Sequence, residues 1–244
     1  MTDINGTDGD DLIEGTDQQD VIYARSGNDT ISAGAGDDWV TSGLGNDVID
    51  GGSDADALFY EGVYDGVSLN NTPTLQNGVP AYSVVPSDSL DKDTFTNVEN
   101  FHLSNGDDVF HTDASGYVFM RSGNDTAYID GADVNVIPGS GVDKIIADAS
   151  NPSSLSYSDD GNDAPDQNRI KTGISASYEN NPSASLSGSV LDGWGDTDTF
   201  VGINTIEGTE LADTMSAEGT TRSVKLEGLA GDDTLQGGGG DDRL

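Results

Sequence analysis

Large aliphatic side chains return at every ninth position in the N-terminal part of the chain: Ile13, Ile22, Ile31, Val40, Ile49 and Leu58. Two residues before each stands an aspartate, forming a second row of Asp11, Asp20, Asp29, Asp38, Asp47 and Asp56. From Gly6 the chain reads as consecutive nonapeptides, GTDGDDLIE, GTDQQDVIY, ARSGNDTIS, AGAGDDWVT, SGLGNDVID and GGSDADALF, with Ile4 as the strand residue of an incomplete earlier turn. Self-similarity at a fixed period marks a repeat architecture. The three residues after each aspartate predict a short strand whose middle side chain points inward and whose neighbours point out. Between strands, Gly, Asn and Asp supply the positive φ angles of a tight turn. Eighteen residues then make one coil, with a strand on each of two sheets and a turn at each edge. Coils stack at about 4.8 Å, which brings aspartates eighteen residues apart face to face. The pattern therefore predicts an all-β chain, a parallel β-roll.

The period stops after Phe59 and resumes near His102. In the second block the nonapeptides HLSNGDDVF, HTDASGYVF, MRSGNDTAY, IDGADVNVI and PGSGVDKII place Val109, Val118, Ala127, Val136 and Ile145 in the inward row. Their sixth positions are Asp107, Gly116, Asp125, Val134 and Asp143, so aspartate occurs at alternate turns only. In the third block Asp213 precedes Thr214 and Met215, Arg222 takes the next sixth position, and after a two-residue slip come Asp233 and Asp242. The last turn reaches Leu244 one residue short of a nonapeptide, and the array is expected to continue in a longer protein.

The two interruptions share an order of features. Each has Leu-x-Tyr near its start (Leu58 and Tyr60; Leu155 and Tyr157), then Gly-aliphatic-Ser (Gly66-Val67-Ser68; Gly173-Ile174-Ser175), then a closing strand, DTFTNVENF from Asp93 or DTFVGINTI from Asp198. Duplicated units with strands of their own are predicted, continuing or buttressing the roll, with residues 159 to 168 as an exposed loop. The organisation expected is a roll block at 1–59, a β-rich insert at 60–101, a half-degenerate block at 102–146, a second insert at 147–207 and a third block at 208–244.

Composition changes the picture by showing what a core cannot do alone. Only 33% of residues are hydrophobic, and 45 acidic side chains face 9 basic ones for a formal charge of −36. Such a chain excludes nucleic acid as a partner and lies near the disordered class unless something else supplies folding energy. Multivalent cations fit, because each neutralises two carboxylates and gathers oxygen ligands that the unfolded chain cannot assemble. With no cysteine, thiolate sites and disulfides are excluded and hard-oxygen coordination remains. No apolar run reaches the length of a membrane span, and residues 1 to 15 lack the basic and apolar segments of a secretory signal.

The turns GLGNDVID and AGAGDDWVT resemble the nonapeptide G-G-x-G-x-D-x-U-x of the repeats-in-toxin (RTX) family, hemolysin-type calcium-binding repeats. Thr16, Gln18 and Arg25 depart from the glycines of that pattern. The resemblance implies a right-handed parallel β-roll that stays unfolded at low cytosolic calcium, leaves the cell by type I secretion through a C-terminal signal, and folds outside as a secreted, extracellular module. It implies Ca²⁺ as cofactor, about 5 to 8 ions. The ligands would be the carboxylates of Asp11, Asp20, Asp29, Asp38, Asp47, Asp56, Asp107, Asp125, Asp143, Asp213, Asp233 and Asp242, with turn carbonyls around Gly27, Gly36, Gly45, Gly123, Gly141 and Gly231. In the first block, eighteen-residue pairing joins Asp11 to Asp29, Asp29 to Asp47, Asp20 to Asp38 and Asp38 to Asp56. In the second block Asp107, Asp125 and Asp143 would share one calcium-loaded edge, while Gly116 and Val134 would leave the other edge metal-free.

Outward positions on one sheet of the first block carry Val21, Tyr23, Trp39, Ala57 and Phe59. This apolar face is expected to lie under an insert; the alternative is a surface for a polysaccharide or another protein. Catalysis is not expected. His102 and His111 are the only histidines and fall at opposite edges of the roll, and carboxylate pairs arise by number alone in so acidic a chain.

Overall fold

The computed structural model describes residues 1–60, 67–76, 79–86, 93–112, 115–131, 133–148, 150, 153–158, 171–179 and 186–244. The exposed loop expected at 159–168 lies outside them. Among the described residues every regular element is a strand. The chain forms two compact units, Met1–His111 with Gly116–Val118, and Thr112–Ser115 with Phe119–Leu244.

In the first unit, β1 to β7 are Thr2–Asn5, Leu12–Thr16, Asp20–Tyr23, Thr30–Ala35, Trp39–Thr41, Val48–Ser53 and Ala57–Phe59. Odd-numbered strands form one parallel sheet in the order β1-β3-β5-β7, and even-numbered ones the other, β2-β4-β6. The inward row sets the register: Ile4 pairs with Ile22, Ile22 with Val40 and Val40 with Leu58 on one sheet, Ile13 with Ile31 and Ile31 with Ile49 on the other. Eighteen-residue coils are thus established. A second inward row, two residues further on, is filled by the small Ala24, Ala33 and Ser42, all buried. Turn backbones approach closely enough to require glycine. At Gly45 (φ 134) a Cβ would stand 1.8 Å from the carbonyl oxygen of Gly27. Arg25 keeps the same left-handed backbone (φ 82) despite its side chain.

Strands β8 (Val67–Gln76), β9 (Val79–Pro86), β10 (Asp93–Thr96), β11 (Asn100–His102), β12 (Val109–Thr112) and β13 (Gly116–Phe119) follow. The first insert is threaded into one sheet only. Strand β10 runs parallel to β6, β9 is antiparallel to β10, β8 is antiparallel to β9, and β12 resumes parallel to β8. The opposite sheet continues directly from β7 to β11.

The second unit repeats this plan. Its strands are β14 (Thr126–Ile129), β15 (Val134–Ile137), β16 (Lys144–Ala147), β17 (Ser153–Ser156), β18 (Ser175–Tyr178), β19 (Ser187–Leu191), β20 (Thr197–Val201), β21 (Thr205–Glu207), β22 (Thr214–Ser216), β23 (Lys225–Glu227) and β24 (Thr234–Gln236). One sheet runs β15-β17-β21-β23 and the other β14-β16-β20-β19-β18-β22-β24, with antiparallel pairing only at β20-β19-β18. The inserts therefore continue the roll by adding two strands to one of its sheets.

Two positions differ from the sequence reading. Phe110 is fully buried whereas Val109 is 38% exposed, so the inward residue of β12 is one place later than the nonapeptide count puts it. The larger apolar surface of phenylalanine decides between the two registers. In the third block Val224, rather than Arg222, precedes β23 directly and is buried, which places the two-residue slip within the turn before it.

Candidate metal centre

The strand register stacks the turn aspartates into rows along each edge. The backbone N–H of Asp11 donates to Oδ1 of Asp29 at 2.8 Å, and Asp29 donates likewise to Asp47 at 2.8 Å. On the other edge Asp20 donates to Asp38 at 2.8 Å and Asp38 to Asp56 at 2.9 Å. One carboxylate oxygen of each is used in this way. The second oxygen of Asp29, Asp38 and Asp56 is buried and has no hydrogen-bond partner in the protein. Leaving a buried acceptor unsatisfied costs about 1–3 kcal/mol, more when it is charged. Burial raises the pKa of Asp29 and Asp38, and it pushes Asp56 up to about 7, with the charges of Asp38 and Glu99 adding to the rise. Buried, mutually repelling carboxylates such as Asp29, Asp38 and Asp56, each with one open oxygen, have the donor chemistry of a hard-cation site. Among the described residues no three His, Cys, Asp or Glu side chains converge as a metal-binding group. Each position offers two carboxylates, so turn carbonyls would complete the coordination.

The rows extend beyond the repeats. The N–H of Asp47 donates to Oδ1 of Asp93 at 3.0 Å, and that of Asp56 to Oε2 of Glu99 at 3.0 Å. In the second unit Asp125 donates to Asp143 at 2.8 Å and Asp143 to Asp198 at 2.9 Å. Asp213 donates to Asp233 at 2.9 Å, and Val224 to Asp242 at 3.0 Å. Asp93 and Asp198 are row members that the nonapeptide count missed. Their signal was present, since each opens an Asp-Thr-Phe that satisfies the D-x-U rule. At both, the tyrosine of the preceding Leu-x-Tyr takes part: Tyr60 donates its hydroxyl to Oδ2 of Asp93 at 3.1 Å, and Tyr157 to Oδ2 of Asp198 at 2.8 Å. Tyr60 occupies the inward place held by Ala24, Ala33 and Ser42 in earlier coils, which lets its ring cross the core to the row.

Turns fall into two kinds. Where Thr or Ser stands four residues before the aspartate, it closes the turn on that carboxylate. Thr7 donates its N–H to Asp11 at 2.6 Å, Thr16 to Asp20 at 2.6 Å, and Thr209 to Asp213 at 2.8 Å. Both oxygens of Asp213 are hydrogen-bonded, one of them to the N–H of Ile174. Burial works to raise the pKa of Asp20, but the Thr16 and Thr2 donors outweigh it and hold the group below its ordinary value. The fourth-position glycines Gly27, Gly36, Gly45, Gly123, Gly141 and Gly231 all take positive φ, between 109 and 143.

Asp107 is exposed, and Asp108 takes the buried turn position instead, bonded to the Ser104 hydroxyl at 2.7 Å. This correction follows from the register of Phe110. Val134 is buried, and Gly116 takes φ 139 beneath the backbone of Glu99, so neither contributes a carboxylate. His102 lies on β11 and His111 on β12, strands of different sheets.

Parallel coils edged by buried carboxylate rows define the class as a parallel β-roll. Residues 5–40, 25–58, 32–65 and 225–244 match the RTX calcium-binding nonapeptide repeat in 4 copies, and these segments belong to that family. No curated protein matches the chain. Among solved structures, the extracellular lipase LipA from Serratia marcescens is similar at 14% identity and a TM-score of 0.21, over 81% of this chain. The matched part is 37% of that lipase's chain.

Proposed function

We propose that this chain is the calcium-loaded β-roll of a secreted protein, exported by the type I route and folded outside the cell when Ca²⁺ binds. The observation that carries the reading is the set of buried, unpartnered second oxygens of Asp29, Asp38, Asp56 and Asp143 on stacked turns. These four, with Asp47 and Asp125 in the same rows, would hold the ions together with carbonyls of the turns containing Gly27, Gly36, Gly45, Gly123 and Gly141. Asp233 and Asp242, with the Gly231 turn, would serve the last coils, while Asp11, Asp20 and Asp213 are hydrogen-bonded by the threonines of their own turns. Calcium would supply positive charge and take the carboxylate and carbonyl oxygens as its ligands. The chain's own part is to hold carboxylates in register by backbone donors, so the role is structural rather than catalytic. Calorimetric titration tests this. Calcium should bind at several sites in the range of about 10⁻⁴ to 10⁻³ M, while magnesium, which needs a smaller octahedral site, should bind far more weakly. Absence of calcium binding in that range would refute the reading.

A second reading has one observation in its favour. Tyr23 and Trp39 are 46% and 42% exposed on one face, and Trp39 lies 5.8 Å from Phe59, which stacks on His102 at 4.1 Å. Such a stripe suits a neutral polysaccharide or a partner protein. The insert expected to cover it runs with β8, β9 and β10 in the opposite sheet, and the side chains of residues 61–92 lie outside the described residues.

A further inference from the structure

The Oδ2 oxygens of the turn aspartates occur in two states, and each state goes with one backbone conformation four residues earlier. Oδ2 of Asp29, Asp38, Asp56 and Asp143 is buried without a hydrogen-bond partner. The residues four places before them are Arg25 (φ 82), Gly34 (φ 114), Gly52 (φ 106) and Gly139 (φ 83), all left-handed. In the turns of Asp11, Asp20, Asp108 and Asp213 the corresponding residues are Thr7, Thr16, Ser104 and Thr209, and none of these has a positive φ. Each donates its backbone N–H to Oδ2 of its aspartate, at 2.6, 2.6, 3.1 and 2.8 Å.

The hydroxyl is not what makes the closure. Gly238, four residues before Asp242, also lacks a positive φ and donates its N–H to Oδ2 at 2.7 Å. Conversely, Arg25 bears a side chain, keeps the left-handed state and leaves Oδ2 of Asp29 open. Backbone conformation, rather than residue type, goes with the state of the oxygen. Residue type enters through cost: glycine takes either conformation freely, whereas a β-branched threonine in the left-handed region is a strained outlier. Threonine therefore locks its turn closed, while Gly238 leaves the turn of Asp242 free to open.

Closed turns also fall where an ion would lack a second carboxylate. Asp108 and Asp213 precede β12 and β22, whose parallel neighbours are the insert strands β8 and β18. The residue stacked on Asp213 is Ile174, which supplies an N–H at 2.7 Å and no carboxylate. A calcium with half its ligands would not recover its dehydration cost there, and the N–H of Thr209 satisfies the oxygen instead.

We propose that the residue four places before each turn aspartate sets whether that aspartate offers Oδ2 to calcium. In the left-handed state it releases the oxygen to the ion; otherwise its N–H takes the oxygen in the ion's place. The inference rests on the calcium reading above and names the position that controls occupancy of the same turns.

Arg25 is the position to test, because it is exposed and already carries a Cβ. Arg25→Thr should close the turn on Asp29 and bind at least one calcium fewer than wild type by native mass spectrometry. Arg25→Gly removes the same charge but keeps the left-handed state, and should retain the full count. Thr7→Gly completes Gly-Gly-x-Gly-x-Asp from Gly6 to Asp11 and frees Oδ2 of Asp11, so it should move the midpoint of a calorimetric titration to lower calcium. That shift decides the matter even if Arg25→Thr does not fold in saturating calcium. A full count in Arg25→Thr, a reduced count in Arg25→Gly, or an unmoved midpoint in Thr7→Gly would overturn the proposal while leaving the repeat sites standing. A wild type that binds no calcium refutes the calcium reading itself, and the proposal with it.

Discussion

Asp29→Ala is the substitution whose consequence the stacking geometry determines most closely. Asp29 is buried, accepts the N–H of Asp11, and donates its own N–H to Asp47, so it stands between two proposed ion positions. Asp11 stands at the end of the row and is partly held by its own turn through Thr7. A site with a dissociation constant of about 10⁻⁴ M contributes about 1.4 kcal/mol at about 1 mM free calcium and about 2.7 kcal/mol at about 10 mM. Loss of two sites in Asp29→Ala against one in Asp11→Ala predicts a stability gap of about 1.4 kcal/mol that widens to about 2.7 kcal/mol between those concentrations. In the absence of calcium the difference shrinks, because removing a buried, mutually repelling carboxylate offsets the lost acceptor for Asp11, worth about 1 kcal/mol. Urea unfolding followed by far-UV circular dichroism at both concentrations measures the gap. Equal losses for the two variants, or a gap that does not grow with calcium, would refute the shared-ligand stacking.

Other outcomes follow from the buried groups. Burial and like charges raise Asp56 and Asp198 to about 7 and Asp143 to about 8, so the metal-free fold binds more protons than the unfolded chain does. Its stability from these groups is fully present below their ordinary value of 3.8 and is lost as pH rises through about 7 to 8; chelated protein should therefore show more β-structure at about pH 5 than at about pH 8.5, and the reverse trend would contradict the assignment. Calcium binding should release protons near neutral pH, measurable as a buffer-dependent heat. Tyr157→Phe leaves the buried Oδ2 of Asp198 without its donor and should cost about 1–3 kcal/mol in thermal or urea unfolding. Tyr60→Phe should cost less, because Ser42 also donates to Asp93 at 3.1 Å.

The first block was legible because each nonapeptide repeats both the aspartate and the aliphatic residue at fixed spacing, and stacking then has only one register that buries Ile13, Ile22, Ile31 and their successors. Legibility failed where spacing changed. Asp93 and Asp198 follow their row partners by 46 and 55 residues rather than 18, so a count of nine cannot reach them, although Asp-Thr-Phe and the shared Leu-x-Tyr marked both places. At Asp107-Asp108-Val109-Phe110 two registers satisfy the same local rule, and only the competition between Val109 and Phe110 for the interior separates them. The hairpin strands β8 and β9 pair antiparallel and carry no nonapeptide, so their place within one sheet could not be read from the period. Thr16 looked like a simple departure from glycine, yet it closes its turn on Asp20, as Thr7 and Thr209 close theirs on Asp11 and Asp213.

The central claim, that calcium decides whether the chain folds, is tested most directly by small-angle X-ray scattering with far-UV circular dichroism, first in chelator at neutral pH and then in about 1 mM calcium. Calcium should convert an expanded, weakly structured chain of charge −36 into a compact, β-rich one. A chelated protein already as compact and as β-rich as the calcium-loaded form would contradict it.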